Sequence, residues 1–337
     1  MRIIRSRRDR TVAVLAVATA AAIGVSGCSS TAKSNSHKVA IVAYSVPKPA
    51  YDALTAAFEK TSQGKGVSFS SSYGPSGTQS QAVAHGQQAD YVAFSLQPDL
   101  DKLVPKFVAK NWSSGPTNGL VSSSVVVIVV RKGNPKHITG WADLVKPGVK
   151  IVTPDPASSG SAKWNILAAY THVLEDGGTD AQAQTYLKSF FGNVVAKPSS
   201  GSNATSTFEN GTGDVLISYE NEAITAQQKG EKLDYVTPPA TLLIQNPDAV
   251  VNKSKNRKAA DAFLAFLRTD GAQRIFASKG YRSVNPKLVD AKRFPKPAKL
   301  FTIEKFGGWG KVNDKFFDPT QGAIAKIFQS QGKSTGG

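Results

Sequence analysis

Three segments rich in serine, glycine and threonine precede predicted helices, and these residue types at a helix start can bind a small anion. The segments are residues 73–78, 153–161 and 199–205. The first N–H groups of a helix have no partner within the helix and carry a partial positive charge, while glycine lets an anion approach the backbone closely. The hydroxyls of Ser76, Ser159 and Ser161 could donate further hydrogen bonds. The segments therefore predict an oxyanion site, provided that the fold brings them together.

A structural role explains the same composition. Serine and threonine at helix starts commonly accept a hydrogen bond from their own helix and so act as N-caps. For the third segment, a surface loop is an equally simple interpretation. Because each segment alone fits both roles, the anion-site hypothesis depends on their apposition across a cleft.

Serine and histidine side chains also raise the alternative of an enzyme. Ser159 or Ser161 would be the nucleophile, and the possible bases are His37, His85, His137 and His172. Against this, no Gly-x-Ser-x-Gly elbow occurs where a strand turns into a helix. No histidine pair and no second cysteine provide metal-ligand spacing. The sequence thus predicts a binding protein without a catalytic residue, a metal site or a cofactor.

Two tryptophans have an indole N–H that could serve an anion. Trp164 has core-like spacing with Leu167 and Ala168 on a predicted helix, which indicates packing. Trp309 follows two glycines in the tail, and we expect it to pack the tail onto a lobe. Neither residue is assigned to the site.

Short apolar or alternating runs recur between helical patterns, which predicts an α/β fold. In the first third, the predicted elements are strands at 38–45, 67–73 and 89–96 and helices at 49–61 and 78–85. Tyr51, Leu54 and Phe58 mark the buried face of the first helix. Strands followed by helices favour a parallel sheet, and ligands bind at the carboxyl ends of such strands.

Two β-rich runs, at residues 122–131 and 242–251, are long enough to pass between two lobes. The other predicted elements are strands at 149–154 and 214–219 and helices at 160–175, 181–191, 220–228, 257–267 and 269–278. The predicted first lobe comprises residues 38–121 and 246–337, including the C-terminal helices, and the second comprises residues 122–245. Two lobes joined by such crossings form a cleft that hinge motion can close around a ligand.

The first 28 residues have the order of regions that membrane export requires. A start with five arginines precedes an apolar stretch too short to span a bilayer, and the next four residues, Val25-Ser26-Gly27-Cys28, resemble a bacterial lipobox. Residues 1–27 are therefore predicted to be a signal peptide and residues 28–37 a flexible tether. Cys28, the only cysteine, is the predicted lipid attachment site. We expect the chain to lie outside the cytoplasmic membrane, anchored to its outer face.

The formal net charge of +17 favours anionic partners. Residues 1–27 hold five arginines and one aspartate, so the chain from Cys28 onward keeps +13. No basic run alternates with aromatic residues, and an exported chain rarely meets nucleic acid, so nucleic-acid binding is not expected. Two classes remain: a binder of small anions, or a surface adhesin that binds polyanions through scattered lysines. We expect a monomer.

Six segments together resemble the sulfate-binding proteins of sulfate and thiosulfate ABC importers. They are residues 73–79, 131–135, 141–148, 153–169, 213–223 and 301–309, with the sequences YGPSGTQ, RKGNP, WADLVKPG, TPDPASSGSAKWNILAA, GDVLISYENEA and FTIEKFGGW. The resemblance implies the two-lobed type II periplasmic-binding-protein fold with a hinge and a central anion cleft. It also implies extracytoplasmic binding of sulfate, with thiosulfate as a further ligand, and delivery to transmembrane permease subunits.

In that family, neutral donors bind a dehydrated sulfate without a charged group in contact. The resemblance therefore implies the sulfate-binding residues Ser45, Ser76, Ser159, Gly160, Ser161, Gly201, Ser202 and Tyr219. Gly201 or, if the gap falls one residue away, Ser202 would donate a backbone N–H. Three positions depart from the family pattern, since Ser161 replaces a glycine, Tyr219 a tryptophan and Ser45 an aspartate.

The chemistry of these departures favours sulfate over phosphate. A phenol at position 219 donates one hydrogen bond, as an indole does, and it can also accept one. Sulfate carries no proton at neutral pH, whereas hydrogen phosphate has a proton that needs an acceptor, so a site of donors alone disfavours phosphate. The absence of a carboxylate at position 45 removes one acceptor. Sulfate is the expected ligand, with molybdate, tungstate and phosphate as alternative tetrahedral oxyanions.

Overall fold

The computed structural model describes residues 37–332. The predicted signal peptide, Cys28 and all but the last residue of the predicted tether lie outside this range. None of the helices in the described part of the chain combines the length and the apolar character needed to cross a bilayer.

The first elements form a parallel sheet with its helices. They are β1 (His37–Tyr44), α1 (Lys48–Phe58), β2 (Val67–Gly74), α2 (Ser76–Ala84), β3 (Tyr91–Ala93) and α3 (Gln97–Asp101). β1 pairs in parallel with both β2 and β3, as predicted from the strand and helix alternation. Tyr51, Leu54 and Phe58 are buried on one face of α1. α2 begins two residues earlier than predicted, which places Ser76 in its first turn.

The middle of the chain contains two long strands that connect the lobes. Its elements are β4 (Leu120–Arg131), β5 (Ile151–Val152), α4 (Gly160–Glu175), α5 (Asp180–Gly192), β6 (Val194–Ala196), α6 (Gly201–Glu209), β7 (Val215–Tyr219), α7 (Glu220–Gln228), β8 (Leu233–Val236) and β9 (Ala240–Val250). β4 and β9 pair with each other, while β9 also pairs with β3 and β4 with β7. The strand order is β2-β1-β3-β9-β4-β7-β5-β6. The two predicted crossings are therefore β4 and β9.

Two helices after β9 return to the first lobe. The remaining elements are α8 (Arg257–Leu267), α9 (Asp270–Ser278), β10 (Lys299–Phe301), α10 (Gly308–Val312) and α11 (Ala323–Ser330), with 3-10 turns at Trp141–Val145, Pro286–Leu288 and Ile303–Phe306 and a π-helical turn at Asn313–Phe317. Phe263 of α8 and Phe276 of α9 pack against Tyr51 of α1, with ring centroids 6.3 Å and 6.2 Å away. Their apolar faces complete the core of the first lobe.

The tail that starts at β10 packs onto the second lobe, which corrects the assignment of all of residues 246–337 to the first. The Trp309 ring lies 4.8 Å from the Trp164 ring, and the Phe328 ring lies 4.8 Å from the Phe191 ring. β10 itself pairs with the start of β9. Aromatic side chains on both sides of this contact bury apolar surface, and the periodicity of one segment does not reveal which distant surface it will cover.

A buried ion pair joins the two lobes beside the hinge strands. Arg282, which follows α9, contacts Glu220 at the start of α7 through two hydrogen bonds of 2.7 Å and 2.9 Å. The side chains are 7% and 1% exposed. The Arg282 backbone also bonds with Ser123 of β4, N to O at 2.8 Å. Burial raises the pKa of Glu220, and the bidentate contact with Arg282 opposes that rise.

Candidate anion-binding site

A small cavity lies between the lobes and contains most of the predicted site residues. In this closed arrangement its walls leave no room for a water-sized sphere. The lining residues are Tyr44, Ser45, Gly74, Pro75, Ser76, Ser95, Ser159, Gly160, Ser161, Ser200 and Gly201. None of these lining residues has a charged side chain. An anion in this cavity would be surrounded by neutral dipoles.

Three helices begin at the cavity wall. α2 starts at Ser76, α4 at Gly160 and α6 at Gly201. Since the first N–H groups of a helix lack intrahelical acceptors and carry partial positive charge, three such starts converge on one space. The sequence predicted the start of α4 at Gly160, but α2 begins two residues earlier than predicted and α6 begins inside the segment 199–205, which was predicted to precede its helix. The structure brings the three starts together.

The capping interpretation holds for one of the serines and not for another. Ser200 Oγ accepts a hydrogen bond from the N–H of Asn203 at 3.2 Å and so caps α6. Ser159 occupies the N-cap position of α4 but makes no capping hydrogen bond with its side chain. Its hydroxyl lies instead 2.8 Å from that of Ser161. One proton of this hydroxyl pair joins the two oxygens, and the other is available to a ligand.

Ser76 differs from the expectation that its hydroxyl donates to the anion. The hydroxyl donates to Asp99 Oδ2 at 2.7 Å and accepts from the N–H of Ser95 at 3.0 Å. Its single proton is therefore directed at a carboxylate and away from the cavity. What Ser76 can offer an anion is its backbone N–H, in the first turn of α2.

Two glycines allow the lobes to approach each other. A Cβ atom at Gly160 would lie 2.8 Å from Ser95 Cβ and 2.9 Å from Leu96 Cγ. A Cβ atom at Gly201 would lie 2.7 Å from Val46 Cγ2 and 2.8 Å from Ser161 Oγ. Distances this short are not tolerated without movement. Both positions therefore need glycine for the cleft to close as it does here.

Tyr219 and Ser202 lie beside the cavity and do not line it. The phenolic oxygen of Tyr219 is 2.7 Å from Ser95 Oγ, and both residues are buried. Burial raises the pKa of Tyr219 well above its usual value, so the phenol stays protonated. Ser202 lines a neighbouring groove, which Ser45 shares with the cavity.

The neighbouring groove contains a buried carboxylate from α7. Glu222 accepts a hydrogen bond from Thr205 Oγ1. Burial raises its pKa to about 7, which the bond from Thr205 opposes and the nearby Glu209 reinforces. Glu222 is thus partly protonated at neutral pH and carries less than a full negative charge beside the anion cavity.

Five cavity residues were not among the predicted site residues, namely Tyr44, Gly74, Pro75, Ser95 and Ser200. Ser95 follows the buried strand β3 at its carboxyl end, which is where ligands bind in parallel sheets, so its position was a usable signal. Ser200 stood inside the third predicted segment, where capping was already the competing explanation. Trp164 packs as expected, and its indole also donates to the Ser95 carbonyl at 3.0 Å, across the cleft.

The fold and this cavity define a class of protein. Two α/β lobes joined by paired crossing strands, closed on a small cavity with helix starts and hydroxyls, form a binding protein with the two-lobed type II periplasmic-binding-protein fold. The lobes contact each other directly in this closed arrangement, for example through the N–H of Gly77 and the carbonyl of Ser158 at 3.2 Å.

The chain belongs to the bacterial extracellular solute-binding proteins, whose family model matches residues 39–282. It is 40% identical to the sulfate-binding protein of Synechococcus elongatus over 92% of this chain and 95% of that protein. It is 35% identical to the thiosulfate-binding protein of Pseudomonas aeruginosa over 82% of this chain and 88% of that protein. The solved structure of the sulfate-binding protein SubI from Mycobacterium tuberculosis superimposes with a TM-score of 0.81 at 45% identity, covering 84% of this chain and 100% of that one. The resemblance inferred from the six segments is confirmed.

Proposed function

We propose that this chain binds sulfate, and thiosulfate as a related ligand, in the cavity between its lobes and delivers it to the permease of an ABC importer. The observation that carries the proposal is the convergence of three helix starts and a free hydroxyl proton on a cavity without charged side chains. The names of the relatives support the same ligand class. Solute binding, with no catalytic step, is the activity that this arrangement performs.

The proposed roles follow from the geometry. The first turns of α2, α4 and α6 provide backbone N–H donors at Ser76, Gly160 and Gly201. Ser45, which follows β1, is a further hydrogen-bond donor to the anion. The Ser159 and Ser161 pair donates a hydroxyl proton. Ser202 remains the alternative to Gly201 as a backbone donor. Helix starts stabilise the dianion without a countercharge, because aligned peptide dipoles supply the positive potential.

Calorimetric titration tests this proposal. With the chain from Ser29 onward, sulfate should give saturable heat for one site and raise the unfolding temperature, since a ligand that binds only the folded state stabilises it. Phosphate should bind at least about tenfold more weakly, because its proton faces donors. Thiosulfate, molybdate and tungstate complete the series. Absence of heat and of stabilisation with millimolar sulfate would refute sulfate binding, and tighter binding of another oxyanion would reassign the ligand.

Salt dependence separates this function from polyanion binding by exposed lysines. The ligand site is enclosed, so sulfate affinity should change little between low and moderate sodium chloride, whereas attraction between exposed charges is screened strongly over the same range. A steep loss of affinity with salt would favour the adhesin alternative.

We further propose that Cys28 carries a lipid that holds the protein beside its permease. Tethering raises the local concentration of loaded protein at the membrane. Replacing Cys28 with serine should abolish incorporation of labelled lipid and reduce sulfate uptake by cells, while purified protein keeps its sulfate affinity. Unchanged uptake in the C28S strain, with the protein released into the medium, would contradict a role for the anchor.

A further inference from the structure

Ser95 is the point at which groups from both lobes and from a hinge strand meet. Its N–H donates to Ser76 Oγ at 3.0 Å. Its carbonyl accepts from the Trp164 indole at 3.0 Å and from the Asn246 side-chain amide at 3.4 Å. Three elements thus fix the backbone of this residue. A side chain held in this way is preorganised for a ligand.

Ser95 lines the anion cavity, and its hydroxyl oxygen lies 2.7 Å from the phenolic oxygen of Tyr219. Ser95 is 0% and Tyr219 1% exposed, so water does not compete for this hydrogen bond. The two hydroxyls carry two protons, of which only one can lie between the oxygens. The other proton remains for a third group.

The relative acidity of the two hydroxyls favours one of the two possible proton arrangements. Either oxygen can be the donor at this distance. A phenol is more acidic than an aliphatic hydroxyl and is the better donor, which favours the arrangement in which Tyr219 donates and Ser95 accepts. The Ser95 proton is then left on the oxygen that borders the cavity. Tyr219 does not line the cavity. A hydroxyl that accepts a hydrogen bond is polarised into a stronger donor itself.

We propose that Ser95 is an anion-contacting residue and that Tyr219 acts on the anion through Ser95. This inference rests on the proposed anion-binding function and deepens it. It replaces the direct contact expected for Tyr219 by a relay, with Ser95 as the donor and Tyr219 as its positioning residue. Because Tyr219 lies in the second lobe and Ser95 in the first, the relay forms only when the cleft is closed.

A double-mutant cycle measured by sulfate calorimetry tests the relay. Ser95→Ala should weaken sulfate binding about tenfold or more, since a hydrogen bond to a charged group is lost. Tyr219→Phe should weaken it about two- to fivefold, because Ser95 keeps its proton but loses polarisation. In the Ser95→Ala background, Tyr219→Phe should add less than about twofold. Direct contact of Tyr219 predicts the same loss in both backgrounds, and that result would overturn the relay.

Two further outcomes bear on Ser95 itself. Sulfate affinity of Ser95→Ala within twofold of the parent would overturn its role as an anion contact. Ser95→Cys, which replaces the hydroxyl with a somewhat larger and weaker donor, should fall between the parent and Ser95→Ala. A parent protein that binds no sulfate would refute the proposed function, which is a different result from a parent that binds and a Ser95→Ala variant that binds equally well.

Matched controls remove hydroxyls that bond elsewhere. Ser283 Oγ donates to Gln273 at 2.8 Å, and Tyr186 OH donates to the Trp141 carbonyl at 2.6 Å. Ser283→Ala and Tyr186→Phe should leave sulfate affinity unchanged. Sulfate should also change the tyrosine absorbance of the parent, and this change should be much smaller in Tyr219→Phe, because it reports on the environment of the Tyr219 phenol. An equal difference spectrum in the two proteins would contradict the relay.

Discussion

Gly160→Ala should reduce sulfate affinity by about ten- to a hundredfold while leaving the unliganded protein folded. The added Cβ would lie 2.8 Å from Ser95 Cβ and 2.9 Å from Leu96 Cγ, both in the opposite lobe. Forcing an atom into such a contact costs about 1 to 3 kcal/mol. The backbone N–H at position 160 remains, so the loss would come from obstructed closure. Calorimetric titration with sulfate measures the affinity.

The control for this substitution is Gly192→Ala at the end of α5, where an added Cβ meets no atom within 4 Å. Its sulfate affinity should match the parent. Alanine also favours helix more than glycine does, so Gly160→Ala should not lower the unfolding temperature without sulfate. Small-angle scattering should show compaction with sulfate in the parent and little in Gly160→Ala. Full sulfate affinity in Gly160→Ala would show that closure of the cleft does not require the close contact of position 160 with Ser95 and Leu96.

Arg282→Met should lower the free energy of unfolding by about 3 to 5 kcal/mol, which is the typical cost of leaving one member of a buried ion pair without its partner. Glu220 would remain buried at 1% side-chain exposure without its bidentate partner. The guanidinium also donates to the Phe294 and Pro295 carbonyls, which would lose those bonds. Urea unfolding monitored by circular dichroism measures the change.

Arg257→Met provides the matched comparison. Arg257 pairs with Asp261 at 2.9 Å, but the two side chains are 47% and 50% exposed. An exposed pair contributes about 0 to 1 kcal/mol, so this variant should be nearly as stable as the parent. Equal stability losses in Arg282→Met and Arg257→Met would show that the buried Arg282–Glu220 pair contributes no more to the free energy of unfolding than an exposed pair does.

Local patterns predicted most of the secondary structure. The apolar runs at 122–131 and 242–251 correspond to β4 and β9, and the helix predicted at 160–175 has the same bounds as α4. These predictions succeeded because hydrophobic periodicity and helix-start composition are properties of neighbouring residues. The tail was misplaced, since its aromatic residues pack against α4 and α5, which are distant in sequence.

The sequence predicted well which segments form the candidate site. It predicted less well which hydrogen bonds their side chains make. Six predicted residues line the cavity, namely Ser45, Ser76, Ser159, Gly160, Ser161 and Gly201. The sequence alone could not show which acceptor each hydroxyl proton faces. Ser76 donates to Asp99, 23 residues away, and Ser159 pairs with Ser161 instead of capping its helix.

The sequence by itself determined most of the longer strands and helices, the glycine and serine at the helix starts, and the resemblance to anion-binding proteins. These are encoded in short stretches, where spacing and residue type fix what the backbone can do. Only the tertiary structure decided that Ser95 lies against Tyr219, because the two residues are 124 positions apart in the sequence. Hydrogen bonds across a cleft depend on how two lobes meet, and that geometry is a property of the whole fold.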